Sequence, residues 1–173
     1  MLVTEREQLR DEIETWAGEF NRERSGLMPI LQHIQRMYGQ VSDYAMQVVA
    51  DTLDIHPVEV YAVVTFYGFL SVKPTGRFVI RLCRTISCDM AGKERVARQL
   101  ENDLGIRFGE TTKDGRFTLE WANCIGMCDQ SPALLVNDQV FGRVTPERVH
   151  DILDTCRRTF SSHALTKQME HTS

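Results

Sequence analysis

The sequence has no long apolar run and no strong bias of charge. Its apolar stretches fall well short of the roughly 20 residues that cross a bilayer. Residues 1–14 are rich in charge and lack the apolar core of a signal peptide. Acidic residues outnumber basic ones by only 24 to 20, so no surface for nucleic acid is indicated. These absences predict a cytoplasmic protein that inserts into no membrane and reaches one only through a partner.

Motifs for nucleotide binding and for dithiol redox chemistry are also absent. No G-x-G-x-x-G and no P-loop occur, so no nucleotide site is recognisable. No C-x-x-C occurs, which argues against a thioredoxin-like redox dithiol. The five cysteines are an odd number, and a disulfide framework is not expected in a cytoplasmic chain. Metal ligation is the alternative that the cysteines favour.

The first 73 residues are predicted to form four short helices. Apolar residues recur there at helical spacing, and each segment begins with a capping or proline signal. The four starts are marked by Thr4–Glu7, Pro29, Asp43 and Pro57, and Gly39 ends the second helix. Because each helix has only one apolar face, we expect the four to pack on each other.

A turn over residues 73–76 introduces a part of the chain with a different pattern. The predicted order is strand, helix, strand, hairpin and final helix, which suggests a small α/β sandwich. The segments are 77–82, 90–104, 117–121, 133–144 and a helix that begins at Thr145.

The chain is therefore predicted to be an α+β protein with two domains. An N-terminal helical bundle occupies residues 1–73, and the α/β domain occupies residues 77–160. Residues 161–173 are polar and lack periodicity, so they are predicted to be a disordered tail.

Four of the five cysteines form two close pairs. Cys83 and Cys88 are separated by four residues, and Cys124 and Cys128 by three. Each pair follows a predicted strand, and neighbouring strand ends lie about 5 to 10 Å apart. Two loops at one edge of a sheet would direct all four sulfurs at one site, and four thiolates are the ligands of a [2Fe–2S] cluster. Cys156 lies far along the chain and is predicted to be a packing residue.

The spacing leaves alternatives open. A structural zinc ion takes the same four thiolates, but its knuckles usually hold about two to four intervening residues and commonly two. Four buried core thiols are the third alternative, which two loop pairs fit poorly. The spacing favours an iron–sulfur cluster. Its rival is a zinc-stapled module that organises a complex without redox chemistry.

Several residues near these segments are candidates for supporting roles. Ser87 is predicted to donate a hydrogen bond to a cluster sulfur, because it adjoins Cys88. Arg81 and Arg84 flank the first pair as solvated charges or as groups that tune the reduction potential. Trp121 and Phe66 are predicted to be core residues, whereas Tyr67 and Phe69 fit the core and a partner-docking face equally well.

At these residues the sequence resembles the thioredoxin-like [2Fe–2S] ferredoxins. It is most similar to the small iron–sulfur subunit of the NADH-oxidising module of respiratory complex I. The same subunit type occurs in NAD-linked hydrogenases, formate dehydrogenases and flavin-based electron-bifurcating complexes. The segments that carry the resemblance are 60–67, 83–88, 109–119 and 124–132.

The resemblance implies a thioredoxin-like domain after the helical part, with one [2Fe–2S] cluster bound by Cys83, Cys88, Cys124 and Cys128. It implies a non-catalytic electron-transfer subunit of an oxidoreductase complex of the NADH dehydrogenase or NAD-linked hydrogenase type. The main partner would be an iron–sulfur subunit that binds FMN and NAD(H). Further iron–sulfur, hydrogenase or dehydrogenase subunits would complete the complex.

Overall fold

The computed structural model describes the backbone of residues 5–170 and the side chains of residues 5–158. The described residues form two compact units, the first ending at Thr75 and the second beginning at Gly76. No helix within this part of the chain is long and apolar enough to span a bilayer.

The first unit contains the four predicted helices. They are α1 (Glu5–Glu19), α2 (Leu27–Tyr38), α3 (Asp43–Leu53) and α4 (Pro57–Phe66). All four contribute to one buried apolar core, in which Ile13, Ile30, Val49 and Val60 are fully enclosed.

The predicted ends of these helices are partly correct. Gly39 ends α2 in the left-handed conformation that glycine adopts without strain, as predicted. The start of α3 differs, because Ser42 caps the helix by accepting a hydrogen bond from the Ala45 N–H at 3.2 Å. Helix α2 begins two residues before Pro29, so this proline occupies the third helical position rather than the first.

The second unit is a four-stranded sheet with helices. Its elements are β1 (Phe78–Cys83), α5 (Ile86–Met90), α6 (Lys93–Leu104), β2 (Phe117–Ala122), β3 (Leu134–Val136), β4 (Gln139–Phe141) and α7 (Pro146–Glu170). The strand order is β2-β1-β3-β4, with β1 parallel to β2 and the other neighbours antiparallel. Helices α6 and α7 share one apolar core with the sheet, which includes Leu100, Leu119 and Leu153.

The outer edge of β2 is paired with the segment 109–112. The Gly109 N–H donates to the Leu119 carbonyl oxygen at 2.7 Å, and the Leu119 N–H donates to the Glu110 carbonyl oxygen at 3.1 Å. The Thr112 N–H donates to the Phe117 carbonyl oxygen at 2.8 Å. This irregular segment therefore satisfies backbone groups that a strand at the edge of a sheet leaves unpaired.

Two helices differ from the prediction. The helix expected at 90–104 starts at Lys93, and the separate short helix α5 precedes it and contains Cys88. Gly92 lies between the two helices with φ of 90°, a conformation that favours glycine and interrupts a helix. The sequence predicts disorder from residue 161, whereas the backbone of α7 stays helical to Glu170. Ala, Leu, Lys, Gln, Met and Glu make up most of this stretch and favour helix, and residues 171–173 lie outside the described part.

Replacing Gly76 with alanine is expected to destabilise the second unit by about 1–3 kcal/mol. A Cβ at this position would lie 2.8 Å from backbone atoms of Phe117, and backbone cannot move aside as a flexible side chain can. Chemical denaturation followed by circular dichroism measures the loss. Gly18→Ala is the control, because a Cβ there meets nothing within 4 Å and alanine favours the helix. Equal stability of the two variants would contradict the packing argument.

Candidate metal centre

Two neighbouring strands deliver the cysteine pairs to the same end of the sheet. Strands β1 and β2 are parallel, and Cys83 at the end of β1 pairs with Ala122 at the end of β2. The Arg84 N–H donates to the Ala122 carbonyl oxygen at 2.9 Å, which continues the pairing beyond the ladder. Cys124 follows two residues after β2. The predicted placement of both pairs at one sheet edge is therefore confirmed.

The two pairs differ in burial. Cys83 and Cys88 are only 2% and 1% exposed, respectively. Cys124 and Cys128 are exposed, and all four thiols are free. The first pair is thus fixed by the fold, whereas the second lies on a surface loop.

Hydrogen bonds surround the sulfur of Cys83. Its Sγ lies 3.3 Å from the Thr85 Oγ1. Burial of the thiol raises the pKa of Cys83, but hydrogen bonds from Thr85, Cys88 and the backbone of Ile125 outweigh burial and hold this pKa below its usual value. A lowered pKa favours the thiolate, which is the form that binds metal. The Ile125 contact also joins the first cysteine pair to the loop of the second.

A second link between the loops passes through Ser131. Its Oγ lies 3.6 Å from the Sγ of Cys88 and donates to the Cys128 carbonyl oxygen at 3.0 Å. In the same loop, the Gly126 N–H donates to the Cys124 Sγ at 3.4 Å. The φ of Gly126 is 77°, which favours glycine at this close approach to the sulfur.

These residues fit a [2Fe–2S] cluster. Four thiols lie on two adjoining segments, and hydroxyl or amide groups lie within hydrogen-bonding reach of the sulfurs of Cys83, Cys88 and Cys124. Within residues 5–158, no three His, Cys, Asp or Glu side chains are already arranged around a metal position. Because the second pair is exposed, closing its loop onto the buried pair requires no change in the core.

Among the described residues, Ser87 makes no hydrogen bond to either cysteine, so the predicted donor is wrong. Thr85 and Ser131 occupy that role instead, and sequence reasoning missed both. Each is a hydroxyl residue within three positions of a cysteine, which is a weak signal that Ser87 shares. Arg81 is paired with Glu120 at 2.9 Å, and Arg84 donates to the Asn123 Oδ1 at 2.9 Å.

The predicted packing of the other residues is confirmed only in part. Cys156 is buried in the core of the second unit, as predicted, and burial raises its pKa. Phe66 is 78% exposed, so its core assignment is wrong, and Tyr67 and Phe69 are also exposed beside it. Trp121 is exposed as well, because it stands near the end of an outer strand of the sheet.

The sequence of a known family matches most of the chain. A model of the thioredoxin-like [2Fe-2S] ferredoxin family covers residues 13–157. The chain belongs to this family. Its cofactor is therefore a [2Fe–2S] cluster, and the thioredoxin-like fold inferred from the resemblance is confirmed. The family match removes the support for a zinc-stapled module.

Relatives of this ferredoxin-family chain are subunits of redox complexes. The second E-type subunit of the NADH-quinone oxidoreductase of Rhizobium meliloti (strain 1021) is 38% identical over 149 residues, 86% of this chain and 89% of the relative. The E-type subunit of the NADH-quinone oxidoreductase of Pseudomonas aeruginosa is 36% identical over 145 residues, 84% of this chain and 87% of the relative.

A solved structure shares the fold. In an NAD+-reducing [NiFe]-hydrogenase in the air-oxidised state, one chain superimposes with a TM-score of 0.66 and 23% identity. The superposition covers 91% of this chain but only 24% of the hydrogenase chain. The ferredoxin-family fold is therefore present there as part of a longer polypeptide.

Proposed function

We propose that this chain is the small electron-transfer subunit of a multi-subunit NAD(P)H-dependent flavin and iron–sulfur oxidoreductase. Cys83, Cys88, Cys124 and Cys128 hold its one [2Fe–2S] cluster. The observation that carries the proposal is the meeting of two cysteine pairs at one end of a sheet in a member of a [2Fe–2S] family. When bound, the cluster accepts and returns one electron at a time.

The electron is exchanged with the FMN of a partner subunit that also binds NAD(H), so this chain is a non-catalytic subunit. The names of the relatives support this division of labour, because each is a single subunit of an NADH-quinone oxidoreductase. The complex is cytoplasmic, and any attachment to a membrane is made by other subunits.

Exposed apolar side chains near the cysteines support contact with a partner. Ile86 and Met90 lie four residues apart on α5, flank the buried Cys88 in sequence, and are both strongly exposed. Residues spaced by four lie on the same side of a helix. An apolar surface beside the cluster suits a flavin-bearing subunit, since it excludes water from the contact.

Metal analysis of protein purified without oxygen tests the cofactor. We expect brown protein that contains about two irons and two acid-labile sulfides per chain. Zinc without sulfide would contradict the proposal and would favour the structural module instead.

The route of the electron needs a separate test. Dithionite is expected to bleach the visible absorption of the isolated chain, whereas NADH alone is expected to leave it unchanged. Addition of the FMN-containing partner subunit should then allow NADH to reduce the cluster. Direct reduction of the isolated chain by NADH would contradict the assignment of hydride chemistry to the partner.

A further inference from the structure

The hydroxyl of Thr85 points to a sulfur rather than to the helix that it precedes. Thr85 occupies the N-cap position of α5, with extended backbone angles of φ −66° and ψ 162°. A threonine at this position usually accepts a hydrogen bond from an amide of the first turn. Its side chain makes no such bond here, and its Oγ1 lies 3.3 Å from the Cys83 Sγ instead.

A second hydroxyl approaches the other buried cysteine from the opposite segment. The Ser131 Oγ lies 3.6 Å from the Sγ of Cys88, 43 positions away in the chain. It also donates to the Cys128 carbonyl oxygen. A serine hydroxyl carries only one proton, so its donation is shared between these two acceptors. Ser131 is therefore the weaker of the two donors.

Ligation settles the direction of both hydrogen bonds. In the free thiol, either Cys83 or Thr85 can be the donor. A cysteine that binds iron is a thiolate and has no proton, so the hydroxyl is then the donor of the pair. Reduction adds one negative charge to the cluster and its ligands. Hydrogen bonds to the sulfurs therefore stabilise the reduced form more than the oxidised form and raise the reduction potential.

We propose that the hydroxyls of Thr85 and Ser131 raise the reduction potential of the cluster by donating hydrogen bonds to the sulfurs of Cys83 and Cys88. This inference rests on the proposed function, because it takes these cysteines as ligands. The two residues are positioning residues that act through the ligands, and they do not bind the iron themselves.

Redox titration of the cluster-loaded chain, followed by electron paramagnetic resonance, tests the proposal. Thr85→Val removes the hydroxyl and nearly keeps the shape, whereas Thr85→Ser restores the hydroxyl. Ser131→Ala removes the second donor. The matched control is Ser87→Ala, a hydroxyl on the same short helix that bonds to neither cysteine. We expect lower midpoint potentials for Thr85→Val and Ser131→Ala, with the larger shift for Thr85→Val, and unchanged potentials for Thr85→Ser and Ser87→Ala.

Unchanged potentials in both donor variants, with full cluster content, would overturn the proposal. A shift of the same size in Ser87→Ala would also overturn it, since the effect would then be general to the loop. If Thr85→Val assembles no cluster, the potential of Ser131→Ala decides alone. Failure of the proposed function is distinguishable, because the unmodified chain would then contain no iron–sulfur cluster to titrate.

Discussion

Replacing Cys124 with serine is expected to remove the cluster and to leave the fold intact. Cys124 is exposed and belongs to neither buried core, so its loss removes no packing. A serine hydroxyl stays protonated at neutral pH, whereas the metal ligand is a thiolate. Cluster occupancy should fall by more than the roughly 10–100-fold that loss of an outer-shell partner costs. Iron and sulfide analysis with visible absorption measures the occupancy, and far-ultraviolet circular dichroism checks the helices.

Cys156→Ala is the matched control for this prediction. Cys156 is the one cysteine outside the two pairs, and it is buried between helix and sheet. Its replacement leaves only a small cavity and should keep the full visible spectrum. Retention of that spectrum in Cys124→Ser would contradict the ligand assignment. Loss of the spectrum in Cys156→Ala would instead place Cys156 at the cluster.

Leu119→Ala is expected to destabilise the second unit by about 2–5 kcal/mol. Leu119 is 0% exposed, lies in β2 and is paired across the ladder with Ile80, which is also fully buried. Removal of its side chain leaves a cavity beneath α6 and α7 that a close-packed core cannot fill. Strand β2 leads directly to Cys124, so the site should lose its cluster at the same denaturant concentration that unfolds the strand.

Tryptophan fluorescence isolates this transition, because each unit contains one of the two tryptophans. In a Trp16→Phe background, Trp121 reports urea unfolding of the second unit alone. Val140→Ala on β4 is the control: its side chain is exposed, and a change within about 0.5 kcal/mol is expected. A similar loss of stability in both variants would show that burial of Leu119 is not what stabilises the sheet.

Much of the fold follows from local patterns. Alternation at Phe117 and Leu119 predicts an inward-facing strand, and the left-handed glycine at Gly39 marks a helix end. Helix α5 is too short for its periodicity to appear in the sequence. The exposure of Phe66 and Trp121 was not predictable in this way, because a pattern indicates which residues share a face and not how far the neighbouring elements cover it.

The four cysteines of the candidate site could be found from spacing, since each pair is local and follows a strand. The hydroxyl groups beside them could not. Ser131 approaches Cys88 only because the chain returns through β2 to the same end of the sheet. Ser87 and Thr85 both lie close to a cysteine in sequence, and only the direction of each side chain separates them.

The pairing of segment 109–112 with β2 also bears on aggregation. An open, apolar sheet edge recruits strands from other chains, and this is a common route to insoluble assemblies. In the second unit, the longer outer strand is already occupied along Phe117 and Leu119, and the opposite edge, β4, is only three residues long. A newly made chain that waits for its partners therefore offers little template for growth into fibrils, and its assembly with them proceeds through side-chain surfaces rather than by extension of the sheet.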